Sequence, residues 1–475
     1  MARTEYDICI IGGGAAGLVV AAAAATLGAK AVLIEKHRLG GDCLYSGCVP
    51  SKTLLHSAHL AQQMRSAGRF GLDAVEPEID LARVMARVQE VIKGIEPHDS
   101  PERFRGLGVE VLIDQGHFVD KHTFMLVDRA IRARRFVIAT GSRPHIPDLP
   151  GLDQVSYHSN ETIFQQTEPV KRLIILGGGP IGVEMAQAFV RLGSEVTLIT
   201  RGQHLLSRED IDMAGVVEEQ LKADGVHISF KSEVRQVNGQ AGNIQMAICT
   251  DGADAQIMGT HLLLATGRQS NTEDLGLDKA GVITTERGIE VDRRLRTRNK
   301  RIFACGDVVN QYQFTHMAEH MAGVVIRNAL FHMPAKVETR VVPWCTFTRP
   351  ELARVGLSES EARARSVAHR IYRFPVGDID RARTDGIRQG LIKIITSPKG
   401  LILGAAIVCD QAGELIHEYV LAMAKKMNLA ELSSVIHIYP TLAQINRRVA
   451  DQMMKEKLTP TTRKWLKRLL RLRGT

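Results

Sequence analysis

Two cysteines, Cys43 and Cys48, stand five positions apart in GGDCLYSGCVPSK, residues 40–52. Thiols this close can form and break a disulfide as the pair gains and loses two electrons. Gly40, Gly41 and Gly47 let the backbone turn tightly around them, and Pro50 stiffens the start of what reads as a helix. A structural zinc site would need a second Cys/His pair at suitable spacing, and none follows. The other five cysteines (Cys9, Cys249, Cys305, Cys345, Cys409) are scattered, as expected of reduced, buried thiols. The close pair therefore reads as a redox-active disulfide.

The elements that must position it come just before. Residues 6–36 read as strand, glycine turn, helix and strand, with Gly12, Gly14 and Gly17 spaced as GxGxxG at the strand-to-helix junction. Gly12 permits the turn, Gly14 admits a pyrophosphate to the helix N-terminus, and Gly17 allows close helix–strand packing. Glu35 ends the second strand, where a carboxylate can hold ribose hydroxyls. The unit recurs at 172–201 with a constant offset of 165 residues, so that Gly177, Gly179, Gly182 and Thr200 stand where Gly12, Gly14, Gly17 and Glu35 stood. Two such units predict two bound dinucleotides. Thr200 lacks the carboxylate that would repel a 2′-phosphate and Arg201 adds a cation to pair with one, which favours NADPH, with NADH as the alternative.

Two further short strands end in Ala-Thr-Gly, at Thr140-Gly141 and Thr266-Gly267, where the chain would pass from one nucleotide domain to the next. Residues 53–103 carry a helical pattern. The strand at 300–310 ends in Gly306-Asp307, and an acidic group there can bind a sugar-like hydroxyl chain, although a plain turn Asp is common. From about 341 an antiparallel sheet flanked by helices is expected. The predicted fold is α/β: two Rossmann-like dinucleotide-binding domains plus a C-terminal α+β domain. Its expected parts are 1–150 and 271–340 (first nucleotide domain), 151–270 (second), 341–450 (C-terminal domain) and 451–475 (a basic tail).

The formal charge of +9 does not indicate nucleic acid, because residues 452–475 hold eight Lys/Arg against one Glu, a net +7 that leaves about +2 for all the rest. The strand beginning within the first residues leaves no room for a signal peptide, and no apolar run is long enough to span a bilayer, so the cytoplasm is the expected compartment.

Together these motifs resemble the class I pyridine nucleotide–disulfide oxidoreductases, which include dihydrolipoamide dehydrogenase, glutathione reductase and mercuric reductase. The likeness runs from residue 5 to about 450. It implies FAD in the first nucleotide fold, NAD(P)H in the second, and a C-terminal interface domain forming a homodimer whose partner subunit completes each active site. On that basis Gly12, Gly14, Gly17, Glu35, Gly41, Thr140 and Gly141 are expected at FAD, with Asp307 on its ribityl chain. Gly177, Gly179, Gly182, Thr200, Arg201 and Gly267 are expected at the nicotinamide nucleotide. Lys52 matches the lysine against the isoalloxazine and Glu184 its ion-pair partner. Cys48 matches the charge-transfer thiol and Cys43 the interchange thiol. Thr315-His316 matches a segment near the flavin pyrimidine. His316 and His320 lie one helical turn apart, but a packed helix is favoured over a metal site, and no metal is expected. The implied relay passes electrons from NAD(P)H through FAD to the Cys43–Cys48 disulfide.

One departure matters for the outlet of that relay. Disulfide-reducing members carry His-x-His-Pro with a Glu five residues after the second His, whereas this chain reads His437-Ile438-Tyr439-Pro440 with Gln444 at the Glu position. A phenol with a pKa of about 10 is a poor base at neutral pH, and an amide cannot stabilise an imidazolium. His437 shares a face with Tyr439 in an extended segment but would be displaced by about 6–7 Å. Asp42, where many relatives carry Thr, sets a negative charge beside Cys43 and should oppose thiolate formation. The mercuric reductase branch also lacks the base, and a soft metal ion held by two thiolates needs no such proton shuttle. This chain lacks the paired C-terminal cysteines of mercuric reductases.

The expected function is thus a mercuric reductase-like NAD(P)H oxidoreductase acting on a soft metal ion or another acceptor. The alternatives are a dihydrolipoamide dehydrogenase variant serving a lipoyl protein, and a non-enzymatic membrane-docked redox sensor. That last reading comes from residues 461–474, where Trp465, Leu466, Leu469, Leu470 and Leu472 share one helical arc and five Lys/Arg occupy the other. Such a helix can lie on an anionic membrane, here the inner face, or dock on its own domain or the dimer mate.

Overall fold

The computed structural model describes residues 5–309 and 312–473, apart from the side chain of Lys457. Asn310, which ends the strand segment 300–310, and Gly474, which ends the tail segment, lie outside the described residues. The chain divides into two compact units. One is the chain up to Arg201 together with His227–Glu338, and the other is Gly202–Val226 together with the chain from Thr339.

The first unit contains two parallel sheets of like design. Strand Tyr6–Ile11 is apolar along nearly its whole length, as a strand covered on both faces must be. It pairs in parallel with Ala31–Glu35 on one side and Ala130–Ile138 on the other. Glu110–Ile113 extends the sheet beyond Ala31–Glu35, and Ile302–Ala304 adds in parallel beside the last residues of Ala130–Ile138. A hairpin, His117–Asp120 and Thr123–Met125, closes the other end antiparallel. The second sheet runs His227–Ser229, Glu195–Ile199, Arg172–Leu176, His261–Leu264, all parallel. Helices Ala15–Thr26 and Pro180–Arg191 follow the first strand of each sheet, as the repeat predicts. The 53–103 stretch is helical at Cys48–Arg65, Leu81–Ile95 and Pro101–Gly106.

The two Ala-Thr-Gly turns meet. The strands that leave them, Ser142–Pro144 and Arg268–Ser270, pair antiparallel. Thr140 Oγ1 donates to the Asn271 carbonyl at 2.7 Å, and Thr266 Oγ1 donates to the His145 carbonyl at 2.7 Å. Gly141 and Gly267 take φ of +69° and +119°, a region open to glycine, which is why each turn ends in that residue.

The second unit is built on a five-stranded antiparallel sheet in the order Pro343–Thr346, Glu351–Gly356, Ile402–Cys409, Leu391–Thr396, Arg370–Pro375. Helix Ile211–Ala223, which lies in sequence within the expected nucleotide segment 151–270, belongs to this unit. Lys393, buried on the sheet, reaches Asp210 and Glu359 at 3.2 and 3.1 Å and also pairs with Asp212. Lys393, Asp210 and Glu359 are withdrawn from water, with Asp212 exposed at the edge of the cluster. They hold the Asp210–Asp212 end of this segment to the sheet, because removing one buried partner would leave an uncompensated buried charge.

The tail helix is shorter than its sequence suggests. Thr459 caps it, Pro460 opens it, and it ends at Leu469, with Arg471 already at a φ of +51°. None of its residues is buried within the chain. Among the described residues no helix is long and apolar enough to cross a membrane.

Candidate active site

The two cysteines sit on consecutive helices. Cys43 lies in the short helix Gly41–Tyr45, and Cys48 is the first residue of Cys48–Arg65. Gly40 and Gly41 enter the first helix with φ of +109° and +63°, and a Cβ on Gly41 would come within 2.7 Å of the Cα of Gly14. The cysteine loop is therefore pressed against the first glycine turn, and on its side of the contact only a glycine fits at position 41.

Both thiols are free and share a hydrogen bond, which is the reduced form of the pair. The charge divides unequally. The hydrogen bond from Cys43 holds the Cys48 thiol down to about 6, against the opposing effect of burial, and Lys52 one turn along and Thr315 assist. The helix N-terminus favours the same anion. Thr315 Oγ1 stands 3.7 Å from the Cys48 sulfur. Cys43 is pushed up by that same hydrogen bond and by burial. Lys52 Nζ meets Glu184 Oε2 at 2.8 Å, so helix Cys48–Arg65 is joined to helix Pro180–Arg191 of the second nucleotide fold.

The glycine turns leave room where dinucleotides would bind. A Cβ on Gly17 would lie 1.9 Å from the Gly12 carbonyl oxygen, and one on Gly182 2.0 Å from that of Gly177. These glycines serve packing. Gly14 and Gly179 are different: a Cβ would meet only Gly41 Cα at 3.7 Å in the first case and nothing within 4 Å in the second. Both N-cap helices with no side-chain cap, so first-turn amides are left without a side-chain acceptor, as a pyrophosphate site needs. Glu35 accepts from the amides of Gly13 (2.7 Å) and His37 (2.9 Å), which fixes the carboxylate beside the glycine turn. Asp307 accepts from Ser142 Oγ at 2.7 Å, and burial pushes its carboxyl up. These donors and open turns fit FAD in the first fold and a nicotinamide nucleotide in the second. Thr200 is buried at the end of the strand Glu195–Ile199, and Arg201 is exposed beside it. His316 stacks on Phe314 with ring centroids 5.3 Å apart, and His320 Nε2 accepts from the Glu338 amide at 3.3 Å.

Two expectations change. Asp42 is not a bare charge beside Cys43: its carboxylate accepts from Ser46 Oγ (2.9 Å) and Asn160 Nδ2 (3.1 Å), and it pairs with Arg268 Nη2 at 3.2 Å. A compensated carboxylate opposes a thiolate far less than an isolated one. His437 is not a free base either. Its Nδ1 lies 3.0 Å from the Val435 carbonyl and its Nε2 3.1 Å from Glu418, which Asn446 Nδ2 also holds at 2.7 Å. Tyr439 is 65% exposed with its hydroxyl 3.3 Å from Asp380. Arg268, Asn160 and Glu418 were missed by sequence reasoning. Arg268 follows a recognised Ala-Thr-Gly turn and could have been flagged, whereas Glu418 stands 19 residues from His437 without a motif.

Comparison with known proteins agrees with this geometry. Residues 6–322 match the family model "Pyridine nucleotide-disulphide oxidoreductase" and residues 342–449 match its dimerisation domain. The mercuric reductase of Streptomyces lividans is 33% identical over 93% of this chain and 95% of its own length. The dihydrolipoyl dehydrogenase of Thermus scotoductus is 34% identical over 95% and 98%. Among solved structures, the Cu(II) complex of the HOCl-induced flavoprotein disulfide reductase RclA from Escherichia coli superposes with a TM-score of 0.85 at 28% identity, covering 95% of this chain and all of that one. The chain belongs to the pyridine nucleotide-disulphide oxidoreductases. It is an FAD-dependent enzyme working with a nicotinamide nucleotide, and its dimerisation domain supports a homodimer.

Proposed function

We propose that the enzyme is an NADPH-preferring reductase that delivers electrons through Cys43–Cys48 to a soft metal ion, in the manner of the mercuric reductases. Bound flavin would supply hydride acceptance and two-electron reduction of the disulfide. The chain's own residues do the rest: Lys52 and Thr315 stabilise the Cys48 thiolate, and Cys43 meets the acceptor. Two electrons leave as the dithiol returns to the disulfide, enough for one Hg(II) to Hg(0) or two Cu(II) to Cu(I). The observation that carries this reading is the C-terminal base position, where an exposed tyrosine bonded to Asp380 stands and the neighbouring His437 has both nitrogens engaged. A thiol-bound metal ion needs no proton from that site; a disulfide substrate does. The names of the relatives, mercuric reductases and a Cu(II) complex, support the same acceptor class. Thr200 and Arg201 support NADPH. In this reading the homodimer completes each active site across subunits, and the basic tail makes peripheral contact with an anionic membrane.

A second reading rests on the Glu418–His437 pair, which could act as an acid–base couple if His437 turned outward, making the enzyme a dihydrolipoamide dehydrogenase variant. An acceptor panel separates the two. Mercuric and cupric ions, lipoamide, glutathione disulfide and a quinone are assayed with NADPH and NADH. Metal-dependent NADPH oxidation abolished by Cys43→Ser, with flavin reduction intact, is the expected result. Turnover of dihydrolipoamide with NAD+, lost on changing His437, would replace the first reading with the second.

A further inference from the structure

Arg268 leaves the second Ala-Thr-Gly turn, yet its guanidinium is committed to the first fold. Its Nε donates to Ser142 Oγ at 2.8 Å, and Nη2 donates to the Ser142 carbonyl at 3.0 Å. The same Nη2 pairs with Asp42 at 3.2 Å, and Nε lies 3.8 Å from Asp307. The side chain is only 12% exposed. The Asp42 carboxylate folds against the turn that links the two cysteines: a Cβ built on Gly47 would stand 3.1 Å from its Oδ2 and 3.2 Å from the Cα of Cys43. Asn160 closes the same turn, donating to both Asp42 Oδ1 and the Ser46 carbonyl.

We propose that Arg268 is a positioning residue for the thiol pair, holding the turn between the cysteines through Asp42 and cancelling the charge of a carboxylate placed next to Cys43. The reduced pair carries a thiolate and the disulfide is neutral, so an uncompensated negative charge at Asp42 disfavours reduction and an uncompensated positive charge at Arg268 favours it. A bare carboxylate next to Cys43 would be a liability to a pair that becomes negative on reduction, and Arg268 is what makes it tolerable.

The inference rests on Cys43–Cys48 being the redox pair, and the experiment reads that pair directly. Holoenzyme is equilibrated in graded dithiothreitol buffers, quenched, alkylated and weighed, which gives the dithiol–disulfide constant without any acceptor. Arg268→Met should make the pair about three- to tenfold harder to reduce and Asp42→Asn should make it easier by a similar factor. The double variant should return to within about twofold of wild type, the coupling expected of an ion pair. Arg268→Lys, which keeps the charge and loses the fork, should stay near wild type. A purely structural role predicts losses of one sign that do not cancel, and that result would overturn the proposal. Should Arg268→Met fail to retain flavin, Asp42→Asn decides alone: no change in its constant overturns it. If wild-type thiols never pair with each other in oxidising buffer, the reductase reading fails instead.

Discussion

At the residue scale, helix position and charge single out one thiol. Cys48 begins a helix and has Lys52 a turn away, whereas for Cys43 the hydrogen bond with Cys48 and burial, both upward, outweigh the opposing hydrogen bonds from Thr315 and the Cys48 backbone. The physical consequence is a reduced enzyme with its charge on Cys48 at neutral pH. Because the thiol is held down to about 6, the thiolate is present above that pH and is lost as pH falls through it. The charge-transfer band of the two-electron-reduced holoenzyme should therefore titrate away with a midpoint near 6. Lys52→Met should raise that midpoint by about one unit, and a band unchanged down to pH 5 would refute the assignment. His437 illustrates the opposite case, a titratable group whose nitrogens face Val435 and Glu418 and so are withheld from solvent chemistry.

The glycine turns set the limits at the scale of single elements. Gly182 and Gly179 belong to one GxGxxG motif and differ in what surrounds them. A methyl on Gly182 would strike the Gly177 carbonyl, forcing helix and strand apart, while one on Gly179 would enter open space. Gly182→Ala should lower thermal stability and weaken flavin and nucleotide retention together. Gly179→Ala should melt like wild type but raise the NADPH KM at least tenfold, since only the nucleotide would meet the methyl. Equal melting and equal KM for the two variants would show that the motif does not bind nucleotide as read. The charge cluster at Lys393 is an element-scale device of another kind, tying the segment Asp210–Asp212 to a sheet far along the chain.

For the whole molecule, the open question is what covers its apolar surface. Ile436 is 93% exposed and Ile438 77%, in the unit that matches the dimerisation domain, as expected of surface reserved for a second copy. Trp465, Leu469, Leu470 and Leu472 are more than half exposed on the tail, with basic residues along the other side. Of this helix's residues Thr462 and Leu466 are half-buried and the others exposed. Full-length protein should co-sediment with anionic vesicles and not with neutral ones, and high salt or truncation after Leu458 should abolish it. Equal behaviour of both chains toward anionic vesicles would assign the tail to the dimer mate.

How much of this was legible beforehand follows from the range of the interactions. The doubled glycine motif, the Ala-Thr-Gly turns, the cysteine spacing and the absent C-terminal base are local patterns, in which backbone geometry and residue type act within a few positions. They determined the family, the α/β class and the redox chemistry. The sequence also paired Lys52 with Glu184, though only through the family resemblance. Tertiary structure alone decided the rest. Arg268 lies 226 residues from Asp42, Lys393 lies 183 from Asp210, and helix Ile211–Ala223 joins the later unit instead of its sequence neighbours. Charges find partners wherever the fold brings them within a few ångströms out of water, and no periodicity in the chain records that distance. Asp42 shows the difference most directly: by type and position it looked like an obstacle to the thiol, and only its folded neighbours reveal that its charge is answered.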